Sequence, residues 1–172
     1  MSDVLVAVDP AVKQPYCSVF VGGVLIGITD DVRKVGMCIT RFAIEIPKIT
    51  GQTRGKDPND MLLLTRAADR YITEARGNNE SVCVQEYGVN DWKGSTAKPI
   101  YWRNAWAALS KTERRVLPPD TASKIVAWHQ KYRVNPKLRM QYATISNYLD
   151  SIGIGLFHCG RVDQMGRVRT PL

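Results

Sequence analysis

Carboxylates that close apolar runs are the residues of this chain best suited to chemistry. Val4-Leu5-Val6-Ala7-Val8 stops at Asp9 and is followed by Pro10, and Phe42-Ala43-Ile44 stops at Glu45, with Pro47 two residues on. Late in the chain Asn147 and Asp150 stand three residues apart, close to one helical turn, so the two side chains share a face. A strand pins the backbone of its last residue while the side chain reaches the sheet's end, where open α/β folds place their ligands. Three acids gathered at one point repel each other unless a cation holds them, and oxygen donors without Cys or His suit Mg²⁺ or Mn²⁺. The matching chemistry is displacement at phosphorus, in which such ions activate a water and stabilise the leaving oxygen. Each acid also has a plainer use: Asp9 in a turn with Pro10, Glu45 paired with Arg41 or a lysine, Asp150 solvated on its helix.

The elements that must position these residues are visible as hydrophobic patterns. Residues 4–9 read as a buried strand that Pro10 ends. Residues 17–21 and 24–28 flank Gly22-Gly23, a two-residue hairpin signal, so the first three strands form an antiparallel meander. Polar residues 29–40 read as a loop or short surface helix, and 41–46 as a fourth strand. Residues 48–58 look like a mobile basic loop. Asp57 as N-cap and Pro58 in the first turn open a helix to about Arg76, with Met61, Leu64, Ala68, Tyr71 and Ile72 on one face, before Gly77-Asn78-Asn79 stops it. A fifth strand, 82–85, runs parallel to the fourth because a helix lies between them. A loop from 87 to 98 leads into helices at 99–109, 112–116 and 121–132, and a last helix spans 146–159. Gly153 and Gly155 let that helix lie close to the sheet. The chain divides into a domain over 1–160 and a short basic C-terminal tail over 161–172.

At 172 residues the chain suffices for one domain that buries about two-thirds of its unfolded surface. No stretch has the form of a signal peptide or is long and apolar enough to span a bilayer, so a cytoplasmic location without membrane contact is expected. Cys17, Cys38, Cys83 and Cys159 lie far apart and read as reduced, mostly buried thiols rather than a zinc site. Twenty-four Lys and Arg against sixteen Asp and Glu give a net charge of +8, which favours polyanionic partners, nucleic acid first. The surplus is concentrated between Lys111 and Arg139 and again at Arg161, Arg167 and Arg169.

Taken in order, "VLVAVDP" ending in Asp9, "FAIEIP" with Glu45 and "SNYLDSIGIGL" with Asp150 resemble a RuvC-type Holliday-junction resolvase of the ribonuclease H-like superfamily. "DPNDMLLLTRAA" (57–68) and "DWKGSTAK" (91–98) are similar to stretches of the phage RuvC-like branch. The resemblance covers roughly residues 4–160. It implies an α/β fold with a five-stranded mixed sheet, three antiparallel strands then parallel ones, flanked by helices. It further implies a homodimeric, Mg²⁺-dependent endodeoxyribonuclease, with Mn²⁺ as a possible substitute, that cleaves four-way junctions and other branched DNA in the host cytoplasm. Asp9, Glu45 and Asp150 are then metal ligands. The bacterial enzymes carry two acids three residues apart in the last helix, where this chain has Asn147 and Asp150. An asparagine oxygen can still ligate, but it adds no charge. The first turn also departs from the family, with Pro10 and Ala11 after Asp9 in place of a small residue and a glycine. Two other functions fit the same residues: a junction-binding protein that does not cut, and a nuclease of this fold acting on RNA or hybrids.

Lys93 and Lys98 flank Gly94, placed either to touch a phosphate near the acids or to be solvated loop lysines; Lys98 is the candidate for stabilising transition-state charge. Arg54 and Lys56 are candidate duplex contacts. Trp92, Trp102, Trp106 and Trp128 could stack on unpaired bases, although helical spacing assigns Trp102 and Trp106 to the core. His129 and His158 read as structural, Asp60 and Glu86 as cap and surface residues. The apolar face of the helix at 58–76 is the candidate dimer surface.

Overall fold

Strand β1 (Val4–Asp9) is apolar on both faces, and it occupies the middle of a five-stranded sheet. The computed structural model describes residues 3–10, 16–47, 57–135 and 145–169. β1 pairs antiparallel with β2 (Tyr16–Val21) and parallel with β4 (Arg41–Glu45). β3 (Val24–Thr29) extends the sheet antiparallel beyond β2, and β5 (Cys83–Tyr87) extends it parallel beyond β4. The order is therefore β3-β2-β1-β4-β5, a mixed sheet with three antiparallel strands followed by parallel ones, as the resemblance implied. Gly22 and Gly23 adopt φ of 56° and 78°, the two positive values that a tight hairpin between twisted strands requires.

Helix α1 (Pro58–Asn78) crosses from β4 to β5 and covers one face of the sheet. It starts where the Asp57 carboxylate accepts the Asn59 N–H at 2.8 Å, and its buried residues Ala68, Tyr71, Ile72 and Ala75 recur at helical spacing. They pack on Val4, Val6, Val8, Phe42 and Ile44. The opposite face, carrying Leu5, Ala7, Phe20 and Ala43, lies under α3 (Lys98–Ala108), α5 (Thr121–Val134) and α6 (Ile145–His158). α6 comes very close: a Cβ on Gly155 would overlap the Phe20 ring, and one on Gly153 would lie 2.8 Å from both the Trp92 and Tyr101 rings. That closeness brings the last helix to the middle of the sheet.

Residues 29–40 contain a short 3₁₀ helix (Val32–Lys34), capped by Asp31 and anchored by buried Val32, in keeping with the loop or short surface helix read there. Several other local expectations are corrected. The expected loop at 87–98 contains a four-residue helix, α2 (Val89–Trp92), too short to show a period in sequence. All four cysteines are free thiols, but only Cys17 is buried; Cys83 is exposed because β5 is an edge strand with little cover, and Cys38 is exposed in the connection before β4. Residues 161–169 do not trail away. Arg161 is bonded to the carboxylate of Glu113 in α4 (Lys111–Arg115) and donates to the Gly23 and Ala108 carbonyls at 2.9 and 2.6 Å. Val162 and Val168 then bridge across a small turn, and Asn104 donates to the Met165 carbonyl at 2.9 Å. Among the described residues no helix is long and apolar enough to cross a membrane.

Candidate metal centre

The two-residue period of the strands decides which way the strand-end acids face. On β1, Leu5 and Ala7 point to the α6 side and Val4, Val6 and Val8 to the α1 side, so Asp9 falls on the α6 side. On β4, Ala43 faces α6 while Phe42 and Ile44 face α1, and Glu45 follows Ala43. The parallel register pairs Ala7 with Ala43 and Val8 with Ile44, so Asp9 and Glu45 are the next residues along neighbouring strands. Asp150 descends onto the same end from α6, where it is 2% exposed. Residues separated by more than a hundred positions thus share one environment.

The electrostatics record that proximity. Burial pushes the Asp9 carboxyl well above its usual range, and the charges of Asp150 and then Glu45 push the same way, against Lys98 and Lys93. Burial also raises Glu45; the hydrogen bond from Trp92 opposes this and the Asp150 charge adds to it. Lys93, buried at 7% exposure, is pulled below its ordinary value by burial, with Asp150 resisting. Burial pulls Lys98 down as well, but the charge and hydrogen bond of Asp150, helped by Asp9 and Glu45, hold its ammonium above the ordinary value. Three carboxylates and two ammonium groups thus lie near enough to act on one another's charge.

Two indoles join them. Trp92 Nε1 donates to Glu45 Oε2 at 2.8 Å, and Trp102 Nε1 donates to Asp150 Oδ1 at 3.0 Å, while the other Asp150 oxygen accepts from Lys98. Both indoles are fully buried, so Trp92 is not available to stack on a base. Helical spacing identified Trp102 as core, but a pattern of apolar positions carries no information about where an N–H points. Trp128 lies partly buried against Trp102, with ring centroids 5.3 Å apart, and Trp106 packs at the margin of the same core.

A hard divalent cation fits the donors by their chemistry: oxygens only, largely buried, three negative charges against two positive. Among the described residues no three His, Cys, Asp or Glu side chains are closed round a single point, because Asp150 is turned to Lys98 and Trp102 and Glu45 to Trp92. Asn147 lies in the first turn of α6, half-buried. Arg54 and Lys56 lie outside the described residues. Asp60 and Glu86 are exposed, apart from the cluster. His158 meets the Tyr87 hydroxyl at 3.0 Å and His129 meets Arg103 at 3.1 Å, neither within the acid cluster.

The fold and the acids together define an α/β domain whose five-stranded mixed sheet carries acidic side chains at one end, with a helix laid across it. No protein-family model matches the chain, and no curated protein matches it. Among solved structures it is similar to Thermus thermophilus RuvC in complex with a Holliday junction substrate, at 14% identity over 91% of this chain and 92% of that one, with a TM-score of 0.46. A structure of T. thermophilus RuvC is similar at 12% identity over 90% and 92%, with a TM-score of 0.37.

Proposed function

We propose that the chain is a structure-specific endonuclease that cuts four-way junctions and other branched DNA, with Mg²⁺ or Mn²⁺ held by Asp9, Glu45 and Asp150. The observation that supports this reading is that acids from three separate elements lie near enough at one end of the sheet to act on one another's charge, with two lysines among them. A divalent cation bound there supplies Lewis acidity to the scissile phosphate and to the water that attacks it. The chain's own residues do the rest. Asp9, Glu45 and Asp150 supply the charge that retains the cation, and Asn147, three residues before Asp150 on α6, is proposed to add a neutral oxygen. Lys93 and Lys98 are proposed to draw a phosphate to acids that would otherwise repel it. Lys98, the more exposed of the two, is the one proposed to meet a phosphate oxygen and to stabilise the charge it gains. Arg54 and Lys56 are proposed to hold a duplex arm through its phosphates. The protein is taken to act inside the cell, phage-encoded, as a two-fold dimer, since a four-way junction presents two symmetric strands. The apolar face of α1 expected to form the dimer surface is instead packed on the sheet through Ala68, Tyr71 and Ile72, so Leu62 and Leu63, 48% and 45% exposed, are the candidate contact.

The test is cleavage of a synthetic four-way junction with Mg²⁺ and with Mn²⁺, alongside linear duplex and RNA–DNA hybrid as competitors. Metal-dependent nicking of the junction that disappears in Asp9→Asn is expected; an Asp9→Asn protein that cuts like the parent removes the mechanism. A second reading is a junction-binding protein that does not cut. Asp150 already bonded to Lys98, and an amide at position 147, favour it. Tight junction binding without cleavage in either metal would select that reading.

A further inference from the structure

We infer that Trp92 and Trp102 are positioning residues of the carboxylate centre, each orienting one acid by its N–H and one lysine by its ring face. This rests on the metal-dependent reading above. The two indoles make the same pair of contacts. Trp92 donates to Glu45 at 2.8 Å and carries the Lys93 ammonium 5.2 Å above its ring; Trp102 donates to Asp150 at 3.0 Å and carries the Lys98 ammonium 5.7 Å above its ring. An indole has one N–H and no charge, so it fixes one carboxylate oxygen without neutralising the group. The second oxygen is left to a cation, and on Asp150 that oxygen already meets one, the Lys98 ammonium.

Packing fixes both donors. The Trp92 ring stands edge-on to Tyr101, with centroids 5.1 Å apart and planes at 89°, and it fills the space beside Gly153, three residues beyond Asp150 on α6. Trp92 therefore ties the end of β4 to α6. Trp102 sits one helical turn after Lys98 on α3, so a single turn presents both the ring and the ammonium to Asp150. Uncharged groups that orient ligating side chains in this way commonly set metal affinity by tenfold or more.

The experiment titrates the full-length protein with Mn²⁺, following free ion by electron paramagnetic resonance, and measures junction cleavage across the same concentrations. Trp92→Phe and Trp102→Phe remove the N–H. Benzothienylalanine at position 92 or 102 replaces the N–H by sulfur while keeping the bicyclic ring, which separates hydrogen bonding from volume. Trp106→Phe is the control, a tryptophan of the same helix whose ring lies under Arg114. The expected result is Mn²⁺ binding weakened about tenfold in the Phe and benzothienylalanine proteins, with the Mn²⁺ concentration needed for half-maximal cleavage rising in step and Trp106→Phe unchanged in both. Parent-like Mn²⁺ affinity in folded benzothienylalanine proteins overturns the inference, whatever the Phe proteins do. Failure of the parent itself to take up Mn²⁺ in a way that Asp9→Asn abolishes overturns the metal reading, and this inference with it.

Discussion

Asp9 is in a costly place for a carboxylate: burial, Asp150 and Glu45 all oppose its charge, and two lysines answer three acids. Removing one negative charge leaves two against two. Asp9→Asn should therefore raise stability in the absence of divalent cation by about 1 kcal/mol, or ~2–4 °C in thermal midpoint for a chain of this size, while abolishing cleavage. A melt in chelator beside a junction-cleavage assay checks both halves. Lys98→Met should act oppositely. It strands a carboxylate that is 3% exposed and costs about 2 kcal/mol, less than a fully buried pair would because the lysine is itself 35% exposed. Excess Mg²⁺ should recover part of that loss if the acids hold it, which the same melt repeated with Mg²⁺ would show. A residue whose removal strengthens the apo fold while its loss stops the proposed chemistry would be a site residue rather than a core one.

At the scale of elements, the approach of α6 to the sheet makes one substitution take opposite signs at two places. Alanine is favoured over glycine inside a helix by about 1 kcal/mol. Gly77, in the last turn of α1, has nothing within 4 Å of an added Cβ, so Gly77→Ala should stabilise by up to about 1 kcal/mol. At Gly155 the same methyl would enter the Phe20 ring, and Gly155→Ala should destabilise by about 1–3 kcal/mol despite the helical gain. Urea midpoints of the two proteins would separate them. The elements themselves were legible because their signals are local: two-residue alternation in β1 and β4, Gly22-Gly23 at the hairpin, Asp57-Pro58 at the start of α1. What the sequence hid is non-local. The bonds from Trp92 to Glu45 and from Trp102 to Asp150 join positions 47 and 48 apart, and no periodicity registers them. α2 is shorter than two helical turns. The return of residues 161–169 begins with an ion pair, also 48 positions apart, whose arginine looked in sequence like one more charge in a basic tail.

For the molecule as a whole, that ion pair joins the chain's end to the outer edge of its sheet. Glu113 is 2% exposed and accepts from the Leu25 N–H at 2.8 Å, from the Ser110 N–H at 2.8 Å and from Arg161, so α4, β3 and the C-terminal segment meet on one carboxylate. Burial alone would raise its pKa, but Arg161 and the two backbone donors prevail and hold it at about 2, against an ordinary 4.5. A carboxylate held low in the folded state adds stability that is fully present above the unfolded value and is lost as pH falls through the folded one. The window is therefore roughly pH 5 to pH 2, and the contribution is about 3 kcal/mol. An already basic chain repels itself more strongly as it takes up protons, so acid unfolding of the parent alone does not isolate this pair. The difference between parent and Glu113→Gln does. The variant should be less stable than the parent by about 3 kcal/mol at pH 7, and the gap should close as pH approaches 2, when the parent's carboxylate is itself protonated. Denaturant unfolding at a series of pH values measures it, and a gap that stays constant across that range would mean that the Arg161 contact is not what holds the chain's end in place.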